Sequence, residues 1–374
     1  MCLESSVNLG RYSHVMDHPL LYPGEILDTV AGYPTLYRYQ PGSTSQGKPL
    51  IVCVTGGLHL ARVFYGGHRG SRPSDFLAYW LSNLGYGVLS ISYPLETDPG
   101  IMPATAAGFR IRDWGRQAAI TTEKIIKEND LPLRSVVLIS WSMGGRMVVP
   151  FNIAAKERGL EVLQYISFAA TPGFSSIRPL PPGIQCSPAG YFRVPPHIDV
   201  FWHQLVEMQG LNGGREIIPK DIYLREYIGG TPINIIGLGL KYDGKGAFVQ
   251  DEVPHEEDTR VLDVANYPLI SALYPTSSLD ASHALADKAS WGFLLTYKLE
   301  TMIGKQGLRR VQGTQKWQQL MDLVHSAPGR LCLPVSGNHF FFVGEASARD
   351  IATKVESLIS DAARFRNEIF ALVS

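Results

Sequence analysis

The segment that most limits what this chain can fold into is Ser140-Trp-Ser142-Met-Gly144-Gly145. It lies where an apolar run, Arg134-Ser-Val-Val-Leu-Ile-Ser140, gives way to a helical pattern from Met143 to Arg158, with Gly159 as its stop. A serine at such a junction is held on a sharp turn, its hydroxyl exposed above a sheet. Small neighbours two residues to either side let strand and helix approach closely. The helix N-terminus adds backbone N–H groups and the positive end of a dipole, suited to an anion that forms beside the hydroxyl. A serine that merely N-caps the helix is the simpler reading. Strand, serine, two glycines and helix in succession argue against it.

The rest of the chain supplies the sheet that such a turn needs. Short apolar runs alternate with longer helical patterns, the signature of a parallel sheet flanked by helices. Strands are predicted at Pro49–Val54, Tyr86–Tyr93, Arg134–Ser140, Val162–Ala170, Pro232–Gly237 and Arg330–Val335. Helices are predicted at Asp75–Leu84, Ile111–Glu128, Met143–Arg158, Val200–Gln209, Ser282–Ile303, Gln315–His325 and Ala346–Ile369, with Pro150 kinking or shortening the third. From Thr171 to Val200 seven prolines (172, 179, 181, 182, 188, 195 and 196) break any period, and Lys241 to about Thr276 reads as a second irregular stretch. The acidic run His255-Glu-Glu-Asp258 reads as a solvated loop face.

Composition excludes several classes. At 45% hydrophobic residues the 374-residue chain is too apolar to be disordered. Lys+Arg and Asp+Glu number 34 each, so the net charge is zero and no dense basic face for nucleic acid is expected. Cys2, Cys53, Cys186 and Cys332 do not make a disulfide framework, and no Cys/His cluster has the spacing of a structural zinc site. Met1–Leu20 lacks the charge and apolar run of a signal peptide, and no stretch is apolar enough to cross a bilayer. A reducing, cytosolic setting is the expectation.

A serine is a weak nucleophile without a base held by a third group. In a sheet of this kind the order is serine, acid, histidine, with the histidine in the loop after the last strand. His339, in Ser336-Gly-Asn-His339-Phe340 directly after Arg330–Val335, takes that place. His14, His18, His197, His203, His255, His283 and His325 lie away from the predicted strand ends, while His59 and His68 stand near the loop after the first strand. The acid should follow the strand before the one that carries His339. Asp243 is the first carboxylate after Pro232–Gly237, with Asp251, Asp258 and Asp263 as alternatives. Thr55-Gly56-Gly57-Leu58 offers backbone N–H groups after a central strand, so Gly57 or Leu58, with Met143, would form an oxyanion hole.

These residues resemble the α/β-hydrolase superfamily. The likeness runs roughly over Pro49 to Ala170, Thr231 to Asp243 and Arg330 to the C-terminus, and rests on Thr55-Gly56-Gly57, the Ser142 turn, Asp243 and His339. In style the chain is similar to cytosolic α/β-hydrolases of fungal biosynthetic pathways. The resemblance implies an α/β fold with a mostly parallel eight-stranded sheet flanked by helices and an inserted cap. It implies core at 1–170, cap at 171–230, and core again at 231–374 with a further insertion at about 244–310. It also implies Ser142 as nucleophile, His339 as base and Asp243 as its orienter, with no cofactor or metal. One departure is Ser140, which stands where the usual G-x-S-x-G has its first glycine and tightens the turn. The expected substrate is an ester, lactone or thioester of a mid-sized, fairly apolar small molecule. Its contacts would be His59, Trp141, Phe174, Tyr191, Phe192 and Trp202, with Phe201 beside them. Acyl transfer, cyclisation or C–C cleavage on the same triad is the second reading, and a ligand-binding protein on this scaffold the third. No nucleic-acid or membrane partner is expected, and a homodimer is left open.

Overall fold

A computed structural model of the chain describes residues 20–43, 47–175 and 182–374; Cys2, His14, His18, Pro179 and Pro181 lie outside them. Apolar runs too short for helices form a central sheet, and its strands Leu50–Val54 and Val88–Ser92 are buried along their whole length. An edge hairpin, β1 (Glu25–Val30) and β2 (Tyr33–Gln40), precedes β3 (Leu50–Val54). Helices α1 (Arg62–Tyr65) and α2 (Leu77–Asn83) lead to β4 (Val88–Ser92), and α3 (Ile111–Glu128) leads to β5 (Ser135–Trp141). Helix α4 (Val148–Glu157) then leads to β6 (Glu161–Phe168).

The chain next leaves the sheet. It runs through β7 (Gln185–Cys186), β8 (Tyr191–Arg193), α5 (Pro195–Leu211), α6 (Lys220–Glu226) and β9 (Thr231–Pro232). The hairpin of β10 (Leu240–Tyr242) and β11 (Phe248–Gln250) and the short α7 (His255–Thr259) complete the excursion. It returns as β12 (Leu269–Pro275), α8 (Ala281–Val311), α9 (Gln315–Leu331), β13 (Cys332–Val335) and α10 (Glu345–Val373).

The strand order is β1-β2-β4-β3-β5-β6-β12-β13. Strand β2 runs antiparallel to β1 and to β4, and every other neighbouring pair is parallel. This is the mostly parallel eight-stranded sheet of the α/β-hydrolase fold. Because the inner strands are parallel, the loops after β3, β5, β12 and β13 all open at one edge, where ligand crevices form in α/β sheets. No helix among the described residues is long and apolar enough to cross a membrane.

One predicted strand is misplaced, and the site depends on it. Of Pro232–Gly237 only Pro232 is in a strand, β9, which pairs with β8 in a small three-stranded sheet. Ile233–Ile236 is a 3-10 turn closed by Gly237 at φ 81°. The strand beside β6 is Leu269–Pro275, inside the stretch expected to be irregular. Its Leu269–Leu273 pairs with Gln164–Phe168 and its Ala272–Pro275 with Cys332–Val335, so it gains hydrogen-bonding partners on both sides. The Gln164 amide donates to the Ser271 hydroxyl (2.6 Å), which satisfies the buried serine of that run. Pro150 causes no kink. It is the third residue of α4, where its missing N–H would have had no helical acceptor, and Ser142–Met147 before it are 3-10.

Candidate active site

Ser142 directly follows β5 and opens the 3-10 turn with φ 55°, the left-handed region that β-carbon crowding makes costly for a non-glycine residue. Two glycines hold it there. A Cβ added at Gly56 would overlap the Ser142 Cβ, and one at Gly144 would fall 2.9 Å from the Thr55 carbonyl and 3.1 Å from the Ser140 Cβ. Ser140 fits in place of glycine because Gly144 leaves room for it and because its hydroxyl pairs with the buried Tyr165 hydroxyl (2.9 Å).

His339 sits in the loop after β13, where Nδ1 lies 2.9 Å from Asp280 Oδ2. The imidazole packs on Trp141 (5.0 Å between ring centroids) and lies nearly parallel to Phe201 (5.8 Å, 19°). Trp141 Nε1 donates to the His339 carbonyl (2.8 Å). Burial pushes the imidazole below its ordinary pKa, Asp280 opposes that shift, and His283 nearby adds to it. The neutral ring is the form that can accept a proton near pH 7. Helix α5 braces the loop. Asn338 Nδ2 donates to the Gln204 carbonyl (2.7 Å) and to Glu207 Oε2 (2.6 Å). Ser277 Oγ donates to both Glu207 oxygens (2.9 and 2.8 Å). Glu207 therefore ties the loop of Asp280 to the loop of His339.

Asp280, not Asp243, is the carboxylate against His339. Asp243 closes the β10–β11 hairpin, where its Oδ1 accepts from the Lys245 and Ala247 N–H groups (2.7 and 3.0 Å), which hold it below the usual carboxylate range. Asp251 pairs with Arg110 (2.7 Å), Asp258 accepts from the Ile111 N–H (2.9 Å), and Asp263 pairs with Arg260 (2.6 Å). The misplaced strand explains the error: the first carboxylate after Leu269–Pro275 is Asp280. The prolines that bracket Leu269-Ile-Ser-Ala-Leu, Pro268 and Pro275, were the signal available.

The loop after β3 is held by hydrogen bonds at three successive residues. Gly56 O accepts from the Tyr93 hydroxyl (2.9 Å) and Gly57 O lies 2.7 Å from His59 Nδ1. The Leu58 N–H donates to Thr231 Oγ1 (2.9 Å), so it is turned away from an oxyanion. Gly57 and Met143 line the same cavity as Ser142 and His339.

That cavity has a volume of about 590 Å³. Phe192 and Phe201 line it, as do Arg146, Gln204 and His283. The other expected contacts lie elsewhere. His59 is buried, its Nε2 2.7 Å from the Tyr223 hydroxyl, and burial pushes its pKa down to about 3. Tyr191 accepts from the Ala106 N–H (2.8 Å), Trp202 packs towards Tyr223, and Phe174 joins the core. Trp141 supports His339 from behind. Their aromatic character signalled packing rather than substrate. His283 was set aside for lying away from a strand end, yet α8 carries it to the cavity. Arg146 donates to the Ile235 carbonyl (3.0 Å) and reaches the cavity from the turn that begins at Ser142.

No family model matches the chain, and no curated protein does. Solved structures similar to it include an esterase of Pyrobaculum calidifontis, at 14% identity over 91% of this chain and 84% of that one, with a TM-score of 0.43. MenH from S. aureus is similar at 12% identity over 87% and 98%, with a TM-score of 0.44. The carboxylesterase CesB of Bacillus subtilis is similar at 11% over 89% and 90%, with a TM-score of 0.43.

Proposed function

We propose that this chain is a serine hydrolase that cleaves an ester, lactone or thioester of a mid-sized, fairly apolar small molecule through an acyl-enzyme on Ser142. The observation that carries the reading is a single cavity bearing Ser142 on a left-handed turn and His339 with Nδ1 held by Asp280. Asp280 fixes the tautomer that leaves Nε2 without a proton. Nε2 takes the Ser142 proton as Oγ attacks the acyl carbon, and the Gly57 and Met143 N–H groups receive the developing oxyanion, each worth about 10²–10³ in rate. His339 gives that proton to the leaving group. Water then attacks the acyl-enzyme, losing a proton to Nε2, which returns it to Ser142 as the acid departs.

The excursion between β6 and β12 acts in this reading as the cap, its Phe192 and Phe201 supplying apolar contact and its Gln204, with Arg146 of the Ser142 turn, the polar points of attachment. A fluorophosphonate probe should label the wild-type chain and leave Ser142→Ala unlabelled, with loss of p-nitrophenyl ester turnover in the same variant. Equal labelling of the two proteins rejects the proposal.

A further inference from the structure

Beside the His339–Asp280 pair stands a second histidine–carboxylate pair that the hydrolytic cycle does not use. His283 Nδ1 lies 2.9 and 3.0 Å from the two Asp287 oxygens, and both residues are buried. Asp280 is the N-cap residue of α8 and His283 the third residue of that helix, so the turn into α8 carries both. The His283 ring lies 5.0 Å from that of His339, and one ligand atom from each of Asp280, His283 and His339 falls within 4.8 Å of the others. We propose that these three residues form a site for a divalent transition metal of the zinc type, and that its occupation stops Ser142 chemistry. The effect on catalysis rests on reading His339 as the base; the site itself does not.

The donor set supports this assignment. Two imidazoles and one carboxylate suit Zn²⁺, whereas Mg²⁺ and Ca²⁺ prefer oxygen alone. Asp287 binds Nδ1 of His283 and leaves Nε2 for the metal, the carboxylate–histidine support that orients metal ligands elsewhere. The cavity leaves a fourth position for water. At metal–ligand distances of about 2.0–2.1 Å, tetrahedral ligand atoms stand about 3.4 Å apart. His339 Nδ1 and Asp280 Oδ2, now 2.9 Å apart, need only separate slightly, and His283 needs to close by an ångström or so. Bound there, the metal takes the Nδ1 lone pair of His339 and the ring proton moves to Nε2. The ring stays neutral, but the atom meant to accept the Ser142 proton already carries one.

Zinc chloride is titrated by calorimetry into the full-length Ser142→Ala chain, which keeps every ligand. One Zn²⁺ per chain is expected, with affinity at least tenfold weaker once His283→Gln is added. Asp287→Asn in the same background should weaken binding about 10–100-fold. It serves as the second variant if circular dichroism shows that His283→Gln has not folded. In the wild type, Zn²⁺ should block fluorophosphonate labelling and EDTA restore it. No saturable binding, or equal affinity in both ligand-side variants, overturns the site. Stoichiometric binding that leaves labelling untouched overturns the inhibition. Binding in a metal-free chain that is never labelled supports the site while defeating the hydrolase reading.

Discussion

Replacing Asp280 by asparagine separates the carboxylate held against His339 from the one suggested by chain order. The Asn amide would present either an N–H₂ or a carbonyl to Nδ1, and the N–H₂ orientation selects the tautomer with the proton on Nε2. A base in the wrong tautomer costs about 10⁴ in kcat, or roughly 5.5 kcal/mol of transition-state stabilisation at about 1.36 kcal/mol per decade. Asp243→Asn has no such route. Its carbonyl can still accept from the Lys245 and Ala247 N–H groups on an exposed hairpin, so activity should stay within about twofold. The assay is kcat/KM on a p-nitrophenyl ester from pH 4.5 to 9, with circular dichroism as the folding check. Because burial lowers the His339 pKa, wild-type activity should rise with pH through a midpoint below about 6.5. Asp280 raises that pKa, so the limb of Asp280→Asn should move to still lower pH. A loss under about tenfold in Asp280→Asn, or an equal loss in Asp243→Asn, would refute the reasoning.

Glu207→Ala should lower kcat by about 10–100-fold with little change in KM, because Ser277 and Asn338 lose the acceptor that ties their loops together; steady-state kinetics checks the split. Gly56→Ala should destabilise by about 1–3 kcal/mol and slow fluorophosphonate labelling, since the new Cβ overlaps the Ser142 Cβ; a thermal melt read beside the labelling rate tests both. His59 binds a proton in the unfolded chain below about 6.5 but in the folded chain only near 3, so acid favours unfolding in that window. At pH 4.5 this costs roughly 2–3 kcal/mol relative to pH 7. Urea midpoints of His59→Gln should therefore fall less steeply between pH 7 and 4.5 than those of the wild type.

The Ser142 turn and the His339 loop were legible because each is local. A strand, a serine and two glycines follow one another within a dozen residues, and Ser336-Gly-Asn-His339 directly follows an apolar run. The carboxylate that faces His339 was not legible, because it is defined by the strand that precedes it. Pro232–Gly237 and Leu269–Pro275 are both short apolar runs near prolines. Only the second fits between β6 and β13 with partners on both edges. The aromatic residues chosen as substrate contacts failed for a related reason: a large apolar side chain fits a core and a pocket alike, and position alone separates Phe192 from Tyr191.

The sequence by itself determined the alternation of short apolar runs and amphipathic helices, and with it a parallel sheet. It also determined the two loops whose backbone needs glycine or a sharp turn, since period and steric demand are properties of neighbouring residues. Tertiary structure decided the rest. It set Asp280 against His339, placed Glu207 between the loops of Ser277 and Asn338, and brought His283 beside His339. Such pairings depend on which strand completes the sheet, and the free energy of that choice lies in contacts between segments that no local pattern records.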